Sequence, residues 1–212
     1  MLKLLSVLIG IVLFFIWLAP ENNARDPENN SMAEYAPNVL PTAVSLASPI
    51  QKAAESSQTF QIKEYTLLPK AEIHLAARLL SKERYRLGRE SDLSPMDLAL
   101  GWGAMANPQI TEQIKISQSG RWFHWKADKL SIPRREIERN ASNMHIIPAN
   151  QTVEKQLSRI EKGDIIQLSG QLVDVQSEDG FVWRTSMSRE DTGAGACEIV
   201  YTTHIDILPA SY

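Results

Sequence analysis

Residues 163–170 read GDIIQLSG, and the fold of the chain is decided by how this stretch is read. Ile165, Ile166 and Leu168 make a short apolar run between two glycines, the pattern of a buried strand rather than of a long helix. Working outward, residues 171–175 continue beyond Ser169 and Gly170 as a second strand. Residues 181–186 follow the turn signal Asp179-Gly180, and residues 197–208 supply a last strand. On the other side, Val153, Leu157 and Ile160 recur at spacings of three and four, which predicts a helix that Gly163 closes.

Further upstream the pattern mixes. Residues 110–117 and 121–126 predict a strand pair joined at Gly120, Pro133 opens a helix to about residue 143, and His145, Ile146 and Ile147 form a brief apolar run. Ser94, Pro95 and Asp97 are placed as a helix cap, a first-turn proline and a carboxylate three residues after the cap. That predicted helix ends at Gly101 and Gly103. Pro69 opens another predicted helix, with Ile73, Ala76, Ala77 and Leu80 on one face, and residues 60–67 predict a strand before it. Helices and strands alternate in the first half and short antiparallel strands dominate the second, an α+β pattern. The last fifty residues are expected to curl into a small, partly open barrel of the OB type.

The N-terminus carries a different signal. Residues 4–19, LLSVLIGIVLFFIWLA, contain no charge. A helix from Leu2 to Pro20 is about 28 Å long at roughly 1.5 Å per residue, close to the roughly 30 Å of a bilayer's hydrocarbon core. Cleavage after Ala19 would put Pro20 beyond the cut, so an uncleaved anchor is expected rather than a signal peptide. Lys3 precedes the span, and Glu21, Asp26 and Glu28 follow it among few basic residues, which predicts a cytoplasmic N-terminus. Residues 21–58 are rich in Pro, Asn, Ala, Ser and Glu, with Pro-Glu-Asn-Asn at Pro20 and again at Pro27, and are expected to be a flexible linker. The expected division is an anchor at 1–20, a linker at 21–58 and an extracytoplasmic domain at 59–212.

Composition narrows the function classes. The chain has 212 residues, 43% of them hydrophobic and 22% charged, ordinary values for a globular protein. A net charge of -3 gives no global pull on nucleic acid. The one cysteine, Cys197, excludes an internal disulfide framework. The four histidines show no short metal spacing, so neither a metal nor a cofactor is expected.

Several local clusters could carry chemistry. Asp191-Thr192-Gly193 has the triplet of retropepsin-like proteases, but that chemistry needs paired carboxylates, no second copy exists, and polar Ser188, Arg189 and Glu190 precede it. A glycine-rich turn is the better reading. Cys197 beside Glu198 would need a base such as His145 or His204 to act as a nucleophile. Lone cysteines are more often small core residues. His145, with Asn143, suits an acid/base group or a hydrogen-bonded strand residue. Arg184, Asp191 and Glu198 suit an ionic network or an anion site. Residues 121–126, RWFHWK, interleave cations and aromatics, placing Arg121 and Trp125 on one strand face and Trp122 on the other. Such a surface stacks sugars more readily than nucleic acid in an acidic chain.

Residues 94–103, 143–149 and 184–198, read together, resemble a group of uncharacterised bacterial proteins with an N-terminal hydrophobic segment. That resemblance implies a bacterial envelope setting and assigns no functional residue. The expectation is a single-pass protein of the inner membrane, held in the bilayer by residues 2–20. Its periplasmic domain would bind or assemble with an envelope protein or glycan, without chemistry. The alternative is a periplasmic hydrolase built on His145, Arg184, Asp191, Cys197 and Glu198.

Overall fold

The computed structural model describes residues 46–188 and 196–209. In chain order its strands are β1 (Ile50–Ala53), β2 (Phe60–Ile62), β3 (Tyr65–Arg84), β4 (Met96–Gly101), β5 (Lys115–Ser119), β6 (Trp122–Lys126), β7 (Ala141–Pro148), β8 (Ile165–Ser177), β9 (Val182–Trp183) and β10 (Glu198–Ile207). Three short α-helices are described: α1 (Pro108–Thr111), α2 (Arg134–Arg139) and α3 (Gln151–Arg159). The domain is therefore mixed and strand-rich, of the α+β kind.

The strands pair into a closed ring. β3 lies antiparallel to both β4 and β8, β4 is antiparallel to β7, β7 is parallel to β10, and β10 returns antiparallel to β8. Inside the ring, Ile73, Leu75, Leu98, Ile146, Leu168 and Val200 belong to one buried apolar cluster. α3 joins that cluster through Val153 and Leu157, and Asn150 caps it by accepting from the N–H groups of Thr152 and Val153. The ring draws on β3, β4 and β7 as well as on the last fifty residues, more of the chain than the sequence pattern suggests.

β3 replaces the helix expected from Pro69. Ile73 and Ala77 face the ring interior, while Leu80 packs into an outer cluster with Ala99 and Met105. A strand buried on both faces places apolar residues at both parities, and these mimic helical spacing. The alternation Ala71, Ile73, Leu75, Ala77, Leu79 is the signal that prevails. β4 replaces the helix expected after Ser94 for the same reason, since all six of its residues are buried. The expected strand at 110–117 is divided, with α1 at its start and β5 at its end.

Ser169 and Gly170 do not separate two strands; β8 runs through them. A Cβ on Gly170 would lie 2.2 Å from the carbonyl oxygen of Tyr201, so glycine is what lets β10 approach there. β1 pairs with β3 along Ala71 to His74, so residues 50–53 of the stretch expected as linker belong to the sheet. The predicted helix at 153–160 and the strand at 121–126 correspond to α3 and β6.

Two further apolar clusters coat the outside of the ring. One joins Tyr65, Leu67, Ile147, Val173 and Ile199 to Phe181, Trp183 and Tyr201. The other packs the β5–β6 hairpin, through Phe123 and Trp125, against Ala99, Ile137 and Ala141. Between them the outer face of β4 and β7 carries Asp97 opposite His145, and Asn143 opposite Ala99. No helix among the described residues is long and apolar enough to cross a membrane; residues 2–20 and Asp191 lie outside the described residues.

Candidate functional site

Asp97 is the one charge in β4 and is fully buried. An isolated carboxylate there would be costly, so it must be paired. Its Oδ1 lies 2.8 Å from Nη1 of Arg121 and 2.9 Å from Nδ1 of His145. The arginine contact is a hydrogen bond. The histidine contact is a close electrostatic approach that is not aligned as one. Asn143 Nδ2 donates to the other carboxylate oxygen at 3.4 Å and to the Arg121 carbonyl at 3.2 Å.

Arg121 is delivered by an unusual turn. Gly120 and Arg121 both have positive φ, 56° and 70°, between paired Ser119 and Trp122, as a two-residue hairpin turn with right-handed twist requires. A non-glycine residue there is held at a cost of about 1–2 kcal/mol, offset by its contacts. The Arg121 N–H donates to the Tyr85 hydroxyl at 2.9 Å, and the guanidinium lies over the Tyr85 ring at 4.2 Å. Burial pushes the Tyr85 phenol above its ordinary range, against the lowering effect of the Arg121 N–H. Sequence reading placed Arg121 on a strand face with Phe123 and Trp125; it sits in the turn instead.

Of these groups Arg121 and His145 line an open cleft of ≈ 440 Å³, together with Trp122, Val182, Trp183, Arg184 and Cys197. Trp183 tilts against the His145 ring, centroids 4.9 Å apart. Cys197 is half-buried, its Sγ 3.8 Å from the Arg121 carbonyl oxygen and 3.9 Å from Asn143 Nδ2. Arg184 is exposed and makes no ion pair with the described residues. A second depression, ≈ 390 Å³, shares Arg121, His145 and Trp183 and adds Tyr85 and Leu87. A third, ≈ 200 Å³, shares Trp122 and Cys197 and adds Trp125 and Arg134.

The rim is braced by Arg89. It binds Asp179 at 2.6 Å and lies over the Phe181 ring at 4.5 Å, tying the segment after β3 to the segment after β8. The hydrogen bond from Arg89 holds the Asp179 carboxyl well below the usual carboxylate range, with further donors in Ser177 and the Phe181 N–H.

Of the residues singled out from sequence, Arg121, Trp122, His145, Arg184 and Cys197 share the main cleft. Trp125 lines the third depression, under the Arg134 guanidinium at 5.5 Å. Glu198 is not with them; it is buried and accepts a short hydrogen bond from the Ser142 hydroxyl. His204 pairs with Asp206. Sequence reading missed Asp97, Tyr85 and Trp183. The signal for Asp97 was a single carboxylate inside the apolar run 96–101, and for Trp183 its position beside Arg184. No group of three or more His, Cys, Asp or Glu side chains suited to a metal ion occurs among the described residues. Compared with protein-family models, curated proteins and solved structures, the chain gives no match, so its site is read from its own residues.

Proposed function

We propose that this is a recognition module of the OB type, carried on the outer face of a bacterial inner membrane by residues 2–20, whose ligand occupies the cleft over β4 and β7. The observation that carries this reading is the division of labour in the cleft. Of the groups lining it, Arg184 and Trp122 are exposed and Trp183 half-buried, while the fully buried carboxylate Asp97 is committed to holding Arg121. Strand order around the ring supports the OB reading. Numbered by sequence, the ring strands run first, second, third, fifth, fourth and back to first, with a helix between third and fourth. Barrels of that type take ligands on the face of the second and third strands and on the loops after the first and fourth. Here those are β4, β7 and the segments bearing Tyr85 and Trp183. Fold alone would not imply a function; the argument rests on the side chains of the cleft.

The test uses the full-length protein in lipid nanodiscs, with side-chain NMR of its arginines and tryptophans. Titration with small probes (acetate, phosphate, benzoate) is expected to shift the Nε–H signals of Arg121 and Arg184 and the indole N–H signals of Trp122 and Trp183. Shifts scattered over the surface, or none, reject the cleft as a recognition site. The membrane setting is tested separately: the protein is expected to stay with membranes after alkaline carbonate washing, and release into the wash rejects the anchor.

A second reading, a thiol hydrolase, is favoured by one observation: the Asp97–His145 contact and Cys197 share a cleft, an arrangement of orienting acid, base and nucleophile. Cleavage of p-nitrophenyl acetate that disappears in Cys197→Ala would support it. Equal rates in both proteins would remove it.

A further inference from the structure

We infer that the ligand is a linear oligosaccharide bearing acidic groups, lying across the three depressions rather than filling one. This rests on the recognition reading above and specifies its ligand. The depressions are contiguous: the central cleft shares Arg121, His145 and Trp183 with the second and Trp122 and Cys197 with the third. One aromatic side chain or more belongs to each: Tyr85, then Trp183 and Trp122, then Trp125. A compact ligand needs a single pocket of roughly 300–1,000 Å³. Three open basins with shared walls suit a chain of rings instead, the exposed indole of Trp122 offering it an apolar face.

The chemistry of those rings follows from charge and from the backbone. Arg121 is neutralised by Asp97, and Arg134 is paired with Glu138 at 2.6 Å. Arg184 is the guanidinium of the groove left without an ion pair among the described residues. The second depression holds the carboxylate of Glu90, which makes no ion pair among the described residues. One such cation, in the central cleft, matches an occasional carboxylate or phosphate held at the centre, not the continuous charge of a nucleic-acid strand, which calls for a cationic track. The strands beneath the groove are paired on both sides, β4 by β3 and β7, and β7 by β4 and β10. Neither of these two strands therefore offers an edge to an extended peptide, and the one-sided strands β6 and β9 at the groove walls are only five and two residues long. Trp122 is 40% exposed, an apolar ring face open to the axial hydrogens of a sugar.

The experiment titrates the full-length protein in phosphatidylcholine nanodiscs, avoiding sugar-headed detergents, and reads tryptophan fluorescence. The probes are galacturonic acid and its linear trimer and pentamer, the neutral methyl esters of the same chains, and an oligothymidylate of equal length. Affinity for the acidic series is expected to rise at least roughly tenfold from monomer to pentamer, the gain from each added ring contact being of that order. Trp122→Ala is expected to weaken the pentamer roughly tenfold and to leave the monomer little changed. Arg184→Gln is expected to abolish the preference for acidic over neutral pentamer while the neutral one still binds.

Equal affinity for monomer and pentamer overturns the extended groove but leaves the cleft as a recognition site. Tighter binding of the oligothymidylate than of any saccharide overturns the sugar assignment. Failure of every probe here, with the small-anion shifts above intact, overturns the ligand class alone; failure of both sets removes the recognition reading itself. Trp122 and Arg184 are exposed, so their variants are expected to fold, and a thermal melt of each verifies it.

Discussion

β4 and β7 have two faces that differ in everything but backbone. Inward, Leu98, Leu100, Met144 and Ile146 are fully buried apolar side chains in the ring's central cluster. Outward, the alternate residues of the same strands include Asp97, Asn143 and His145, set between Ala99, Ala141 and Ile147 of the outer clusters. Period-two geometry makes this separation clean, because neighbouring residues point to opposite sides. A one-residue slip of register would exchange the two sets, so the apolar face, by fixing register, also fixes where the polar groups meet. Stability and recognition are thereby placed on the same strands yet open to separate perturbation.

That separation can be broken in graded steps. Leu98→Ala should cost the most, about 2–5 kcal/mol from lost burial and a residual cavity, read from the denaturant midpoint. Asp97→Ala should cost less, about 1.5–3 kcal/mol for a hydrogen bond to a charged group, and should also free the Arg121 guanidinium from the Tyr85 ring. An effect on stability equal to that of Leu98→Ala would mean that the outer network is part of the core after all. Gly170→Ala sharpens the inner side: forcing a Cβ against the Tyr201 carbonyl should destabilise by roughly 1–3 kcal/mol, with the cleft residues unchanged in NMR shift. Arg184→Gln should leave stability within about 0.5 kcal/mol, as exposed substitutions do, and act on binding alone.

The smallest effect is expected at high pH. Burial raises the phenols of Tyr65, Tyr85 and Tyr201 above the ordinary 10.0, since it disfavours the phenolate. Their folded values exceed the unfolded one. The contribution to stability is therefore complete below pH 10 and is lost as pH rises through the raised values. A phenolate absorbance titration should show these tyrosines ionising late and together with unfolding; ionisation at the ordinary value in an intact fold would contradict their burial.

Much of the second half was legible, the helix because it has one exposed face and the strands because turn signals flank them. α3 shows a single apolar stripe, Val153 and Leu157, and β8 and β10 lie among clear turn signals. β4 and the stretch of β3 from Leu75 to Leu80 were read as helices because both of their faces are covered there, which masks the alternation and leaves spacings of three and four by coincidence. The same cause hid half of the site. Asp97 looked like a helix-capping carboxylate, and only the partnership with Arg121, 24 residues away, gives it meaning. Arg121, Trp122, His145, Arg184 and Cys197 were visible as unusual residue types, but sequence could not show that Glu198 turns to Ser142 instead of joining them. Nor could it distinguish the basin of Trp125 from that of Trp122.

The closure of the ring has a consequence for how the protein is made. Among the described residues β3 is an early strand, but its long partner β8 lies about a hundred residues later, and β10, which seals β7 to β8, is the last. A ribosome delivering this chain from its N-terminus therefore provides no earlier stopping point at which the central cluster is complete. Without β10 the ring stays open between β7 and β8, so loss of its ten residues is expected to forfeit the whole fold rather than one end of it.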